Sequence, residues 1–124
     1  MSSKVVYAGK PGAVLSKGVK AGGLLFLAGH VAGTKDAIDP TSIASQTRGT
    51  LENIARSLND CGCSMEDVVR VTIYLTDMNN KPAMDAAYKE FFPVDPPARS
   101  TVGVKELGGD EYLIEIDVIA VAHD

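Results

Sequence analysis

Tryptophan is absent from this chain of 124 residues, cysteine and histidine occur twice each, and aromatic residues make up only 6%. Each scarcity removes a class of function. The two cysteines stand on either side of one glycine, Cys61-Gly62-Cys63. That spacing is too tight for an ordinary structural disulfide and does not match the Cys-x-x-Cys redox pattern. Buried or partly buried free thiols at a helix end are the expectation. His30 and His123 are far apart in sequence and no second ligand cluster accompanies them, so no metal site is expected. Charge of neither sign dominates: 12 basic against 16 acidic residues leave a net −4. Such a surface offers little attraction to nucleic acid or an anionic membrane. No apolar run approaches the ~20 residues of a membrane span. The start, Met1-Ser2-Ser3-Lys4, lacks the charged and apolar regions of a signal peptide, so a cytosolic address is expected.

What remains is an ordinary globular composition, 45% hydrophobic and 23% charged, without repeats, linkers or low-complexity tracts. Residues 1–124 are expected to form a single domain, long enough to bury roughly two-thirds of its unfolded surface. Short strands are expected at residues 5–7, 14–19 and 24–28, followed by a Gly-, Asp- and Pro-containing loop up to about residue 42. Residues 42–61 carry the clearest helical signal. Thr47, Leu51, Ile54, Leu58 and Cys61 form one stripe, with Gln46, Arg48, Glu52, Arg56 and Asn59 assigned to the wet side. Gly62 suits a left-handed cap. Residues 68–75 alternate, with Val69, Val71, Ile73 and Leu75 assigned to one face and Arg70, Thr72 and Tyr74 to the other. A second helix is expected from Asn79-Asn80, with Pro82 in its first turn, a stripe of Met84, Tyr88 and Phe91, and Pro93 as its stop.

Strands, helix, strand, helix, strand, strand describe an α+β sandwich with both helices on one sheet face. In the last strand Ile114, Ile116, Val118 and Ala120 suit the helices. Leu113, Glu115, Asp117, Ile119 and Val121 would then lie on an uncovered, half-apolar face. Such a face implies a partner surface, hence a closed homo-oligomer with sites formed between subunits.

Two residues attract a chemical reading. Arg99 lies in Pro96-Pro97-Ala98-Arg99-Ser100-Thr101-Val102, where two prolines stiffen the approach to an alternating run. Its guanidinium is a permanently charged fork that matches a carboxylate or phosphate. The plainer alternative is a surface pair with Asp95 or Glu106. Glu115 interrupts the aliphatic run Leu113-Ile114-Glu115-Ile116-Asp117-Val118-Ile119. An arginine near a semi-buried acid suggests a small-molecule site, against the alternative of a solvated acid on an open sheet. Asp117 reads as a solvated or interface acid. His30 reads either as a neutral, hydrogen-bonded ring or as an acid–base group.

With Pro97-Ala98-Arg99-Ser100 and Ile114-Glu115-Ile116 in order, the chain resembles the RidA/YjgF family. Its members are also called endoribonuclease L-PSP-like proteins or reactive-intermediate deaminases. Val19-Lys20-Ala21-Gly22 before Leu25-Phe26-Leu27-Ala28-Gly29, Gln46-Thr47-Arg48 with Leu51-Glu52-Asn53-Ile54, and Asp67-Val68-Val69-Arg70-Val71-Thr72 continue the match. So do Asp77-Met78, Tyr88 and Phe91-Phe92. The resemblance implies a chorismate-mutase-like (ferredoxin-like) mixed sheet with two helices on one face. It also implies a homotrimer with sheets packed inward and clefts between subunits.

By the same resemblance the activity is hydrolysis of small 2-imino or enamino acids to 2-oxo acids and ammonia, without a cofactor. Arg99 would clamp the substrate carboxylate and Glu115 would position or activate water. Leu15, Gly29, His30, Asp85 and Thr101 would line the cleft. Several are departures from the family pattern. Leu15 falls in Ala13-Val14-Leu15-Ser16-Lys17, where many members carry Tyr in Gly-Pro-Tyr-Ser-Gln. Ala28-Gly29-His30 replaces Ser-Gly-Gln, Asp85 replaces an Asn, and Thr101 replaces a frequent Cys. Lys17 is a candidate second anion contact. Two other readings stay open: an RNA-directed endoribonuclease or translation-inhibitor role, and a non-catalytic trimer binding small carboxylates or proteins.

Overall fold

The computed structural model describes residues 3–33 and 38–123. The first two residues of the N-terminal segment, and residues 34–37 of the expected loop, lie outside this range. Strands β1 (Val5–Ala8), β2 (Ser16–Ala21) and β3 (Leu24–Leu27) form an antiparallel meander. Helix α1 (Ile43–Asp60) then leads to β4 (Val68–Leu75), and α2 (Lys81–Lys89) carries the chain to β5 (Ala98–Gly103). The final strand, β6 (Ile114–Val121), inserts between β3 and β4, so the sheet order is β1-β2-β3-β6-β4-β5. Only β4 and β5 run parallel, because α2 returns the chain to the starting end before β5 begins.

Both helices cover one face. Leu25, Val71, Ile73, Leu75, Ile114, Ile116 and Val118 meet Leu51, Ile54, Leu58 and Met84 there, all essentially excluded from solvent. The expected assignment of Ile114, Ile116, Val118 and Ala120 to the helices holds. On the other face Phe26, Val6 and Val121 stay exposed, at 41%, 49% and 41%. Phe26 is opposite Ile119 and Val19, which makes the β1–β3 end of that face apolar.

The ends of α1 follow local chemistry. Ser42 is the N-cap, its hydroxyl accepting from the Ser45 amide at 3.1 Å. At the other end Gly62 adopts φ 80°, so the Cys63 amide reaches the Leu58 carbonyl and the Gly62 amide that of Asn59. This double bond pattern closes the helix in a left-handed cap. Cys61 and Cys63 are free and buried beside it.

Three positions differ from the sequence expectation. Gln46, assigned to the wet side, is 1% exposed. Its amide nitrogen donates to the carbonyls of Asp39 and Glu111, and its oxygen accepts from the Leu113 amide. The side chain satisfies backbone groups of two loops that no ladder serves, which periodicity cannot reveal. Val69 was assigned to the core face but is exposed, because the β4–β6 register shifts between Val68 and Arg70. The bulge puts two β4 residues where one is expected and turns Val69 outward. Val14 is likewise fully exposed, outside β2.

Candidate functional site

Arg99 projects to the helix side of the sheet. In the parallel β4–β5 pair it stands opposite Val71, as Thr101 stands opposite Ile73, and both partners are core residues. Its guanidinium lies over the Tyr88 ring of α2, 4.8 Å from the centroid, and pairs with the Asp85 carboxylate at 2.7 Å. Asp85, not Asp95 or Glu106, is the acid that holds it. Asp85 also receives Lys81, one helical turn earlier, at 2.8 Å. Burial pushes the Asp85 carboxyl upward, but hydrogen bonds and charge from Lys81 and Arg99 outweigh it and hold the group below the usual range. The trio therefore carries two positive charges and one negative. The hydroxyls of Tyr88 and Thr101 are buried there without a hydrogen-bond partner among the described residues. Burial of polar atoms without a partner is costly, so these hydroxyls call for a hydrogen-bonding group from outside the described residues.

Glu115 is on the other face. It stands opposite Tyr74 in the β4–β6 ladder, beside the Thr72–Asp117 pair, while its neighbours Ile114 and Ile116 point to the helices. Partial burial, then the charge of Asp117, raise the Glu115 carboxyl above its ordinary value. Tyr74 donates to Asp117 at 2.8 Å. The Glu115 carboxylate packs onto Gly29, where a β-carbon would collide with it. Glycine is needed here for close approach, and the acid's position depends on it.

A cavity of about 590 Å³ opens beside Gly29, bounded by Ala8, Ala13, Leu15, Lys17, His30 and Ser57 among others. His30 bridges to Ile116 by two backbone bonds, so its ring falls on the helix side. Its Nδ1 is 2.7 Å from the Ala28 carbonyl and its Nε2 2.7 Å from the Ser57 hydroxyl. Burial, and the nearby Lys17 ammonium, hold the imidazole below its ordinary value against the opposing pull of the Ala28 carbonyl. Both ring nitrogens are thus within hydrogen-bond distance of a partner, and burial favours the neutral form. Lys17 is engaged with Asp60 at 2.8 Å.

One chain therefore brings Arg99 and Asp85 together with Thr101 on the same strand face, and separately gathers Leu15, Gly29 and His30 around one cavity, with Glu115 against Gly29. It does not bring Arg99 to Glu115, which the spacing of the two strands had suggested. β5 and β6 flank β4 on either side, but residue parity sends Arg99, opposite Val71, and Glu115, opposite Tyr74, to opposite faces. Among the described residues no group of three or more His, Cys, Asp or Glu side chains is arranged to hold a metal ion. Among the described residues no helix is long and apolar enough to cross a membrane.

Residues 8–122 match the family model described as endoribonuclease L-PSP. The chain belongs to that family. A RutC family protein of Pyrococcus horikoshii is 42% identical over 118 residues, covering 90% of this chain and 89% of its own. A Schizosaccharomyces pombe protein named mmf2, mitochondrial, is 41% identical over 111 residues, 88% of each chain. Among solved structures, a conserved Rid family protein from Yersinia pestis superimposes with a TM-score of 0.86 at 32% identity, covering 97% of this chain and all of its own. A YjgF family protein from Neisseria meningitidis does so at 0.85 and 30% identity, over 98% and 97%. The mixed sheet with two helices on one face is thus the family fold.

Within the L-PSP family frame, three residues escaped the sequence reading as site residues. Tyr88 reads from the sequence as part of an apolar stripe and of the family resemblance, yet its ring lies under the Arg99 guanidinium. Lys81 was unremarked, although Lys and Asp four apart on a helix are a legible pair. Ser57 falls three residues after Ile54 on the buried stripe of α1, and a hydroxyl at such a position is itself a signal.

Proposed function

We propose that this protein is a cytosolic hydrolase that converts small 2-imino or enamino acids to 2-oxo acids and ammonia in clefts shared between copies of the chain, most simply a trimer. The observation that carries the reading is the separation of Arg99 and Glu115 onto opposite faces of one sheet. Each is half of a site: a cation seated among unpartnered buried hydroxyls, and an acid of raised pKa over a glycine. A ring that packs the open, Phe26-bearing faces inward would set one subunit's Glu115 against its neighbour's Arg99. It would also cover the apolar part of that face.

The chemistry needs few parts. Arg99 holds the substrate carboxylate, which orients the imine carbon. Ionised Glu115 accepts a proton from the water that adds to that carbon, then returns it as the carbon–nitrogen bond breaks and ammonia leaves. Positioned acid–base groups of this kind contribute about 10²–10⁴-fold. The −4 net charge and the acid beside Arg99 disfavour the RNA-directed alternative.

The test is removal of 2-iminobutanoate, generated in place by a dehydratase and trapped with semicarbazide. Wild type should accelerate its loss, and Arg99→Ala and Glu115→Gln should each abolish the acceleration. Mixing the two inactive variants under subunit exchange should restore part of it, because some clefts regain both groups. Wild type without acceleration overturns the hydrolase reading. Two inactive variants that exchange subunits yet recover no activity on mixing overturn the shared cleft. A monodisperse monomer at micromolar concentration overturns the ring.

A further inference from the structure

We propose that Ser57 and His30 form a nucleophile–base pair that accepts small activated acyl groups in the cavity bounded by Leu15 and Lys17, an acyl-transfer chemistry separate from imine hydrolysis. The argument starts from hydrogen placement. The Ala28 carbonyl can only accept, so the His30 Nδ1 at 2.7 Å carries the ring proton. The Nε2 then holds a lone pair, and the Ser57 hydroxyl at 2.7 Å donates to it. Nucleophile hydroxyl, neutral imidazole and an oriented Nδ1–H are the chain of contacts that activates a serine.

A purely structural serine on this helix has an easier option. Thr50, on the same buried stripe, donates to the Gln46 carbonyl one turn back at 2.7 Å. Ser57 instead turns toward His30. It is only 8% exposed, yet its remaining surface opens on the cavity of about 590 Å³, a volume suited to a small ligand. Ala8, Ala13 and Leu15 give that cavity an apolar wall, and Lys17, paired with Asp60, is among its lining residues. Leu15 matters to the size of the acyl group, since a longer side chain there would fill the space.

The bond changes balance without any further reagent. The Ser57 Oγ–carbon bond forms as the ester's carbon–oxygen bond breaks. The hydroxyl proton passes to Nε2 and from there to the departing oxygen. Water then adds to the acyl carbon, giving its proton to Nε2. The Oγ–carbon bond breaks, Ser57 recovers the proton, and a carboxylic acid leaves. The Ala28 carbonyl is neutral where serine hydrolases place a carboxylate, so it stabilises the imidazolium less. Turnover should be slow and the acyl-serine should accumulate.

The experiment is treatment of the intact protein with p-nitrophenyl acetate and, in parallel, with a fluorophosphonate probe, followed by peptide mass spectrometry. A rapid release of nitrophenolate and an adduct on Ser57 are expected. Ser57→Ala should lose the adduct, and His30→Gln should slow its formation at least about a hundredfold. Arg99→Ala should still acylate, which separates this chemistry from the imine reading. Adducts confined to lysines or tyrosines of the wild-type protein, or none at all, overturn the proposal without reliance on any variant. Equal acylation of Ser57 in His30→Gln, with an unchanged melting curve, overturns the role of the base.

Discussion

Replacing Asp85 with Asn should tighten the binding of small carboxylates, because Asp85 is a carboxylate already seated on Arg99. The two groups are 2.7 Å apart, with side chains 20% and 35% exposed. At an effective dielectric of about 20 the gross attraction is several kcal/mol. Solvent screening reduces its net worth at this exposure. A value of about 1–2 kcal/mol lies between exposed pairs, at about 0–1, and the loss on breaking fully buried ones, at about 3–5. An incoming carboxylate must displace that contact or share the fork. In the Asn variant the local charge rises from one net positive to two, with Lys81 retained. Affinity for 2-oxobutanoate should rise about tenfold, equivalent to 1.4 kcal/mol. Calorimetric titration of wild type, Asp85→Asn, Arg99→Ala and the double variant reads this directly. The gain should vanish in the Arg99→Ala background and shrink at high salt. Equal or weaker binding by Asp85→Asn would refute the reasoning and make Asp85 a support that holds Arg99 in place. Stability gives a second readout. The Asp85 pKa is lowered in the folded state. Its contribution is therefore present above the unfolded carboxylate pKa and lost as pH falls through the folded one. The variant should be about 1 kcal/mol less stable than wild type at neutral pH, with the gap closing in acid.

Other residues make independent tests. Glu115→Gln should lose about 10²–10⁴ in imine hydrolysis. The wild-type rate should rise with pH through a value above the ordinary glutamate range, since the ionised acid does the work and its pKa is raised. That raised pKa also means that ionisation of Glu115 opposes folding. Glu115→Gln should therefore melt higher than wild type at neutral pH and equally at pH below the unfolded pKa, and a lower melting point at neutral pH would contradict this. Gly29→Ala should displace the Glu115 carboxylate, the free end of a flexible side chain, and abolish hydrolysis while unfolding within about 1 kcal/mol of wild type. Retained activity would show that Glu115 does not depend on that close approach. Gln46→Ala removes three hydrogen bonds to backbone groups and should lower stability by about 2–4 kcal/mol in chemical denaturation; a loss under 1 would mean water replaces the amide.

Much of this fold is written in local chemistry. The stripe through Thr47, Leu51, Ile54 and Leu58, the serine before it and the glycine after it specify α1 without reference to anything else. Alternation through Ile114, Ile116 and Val118 specifies both β6 and which of its faces is covered. Arg99 and Glu115 were legible as charges set into apolar strands, and Gly29 as a break after one. Their arrangement was not legible. Sequence spacing could not say that β6 inserts between β3 and β4, since strand order depends on long-range pairing. It could not reveal the bulge that turns Val69 outward, or the loop carbonyls that draw Gln46 inside. Nor could it bring Asp85 onto Arg99 or Ser57 onto His30, pairs that meet only when a helix is laid against a particular strand. Period and capping act over a few residues and survive in the sequence alone. Register, face and partner are set by packing between distant segments, and only the tertiary structure decided that Arg99 and Glu115 face away from each other within one chain.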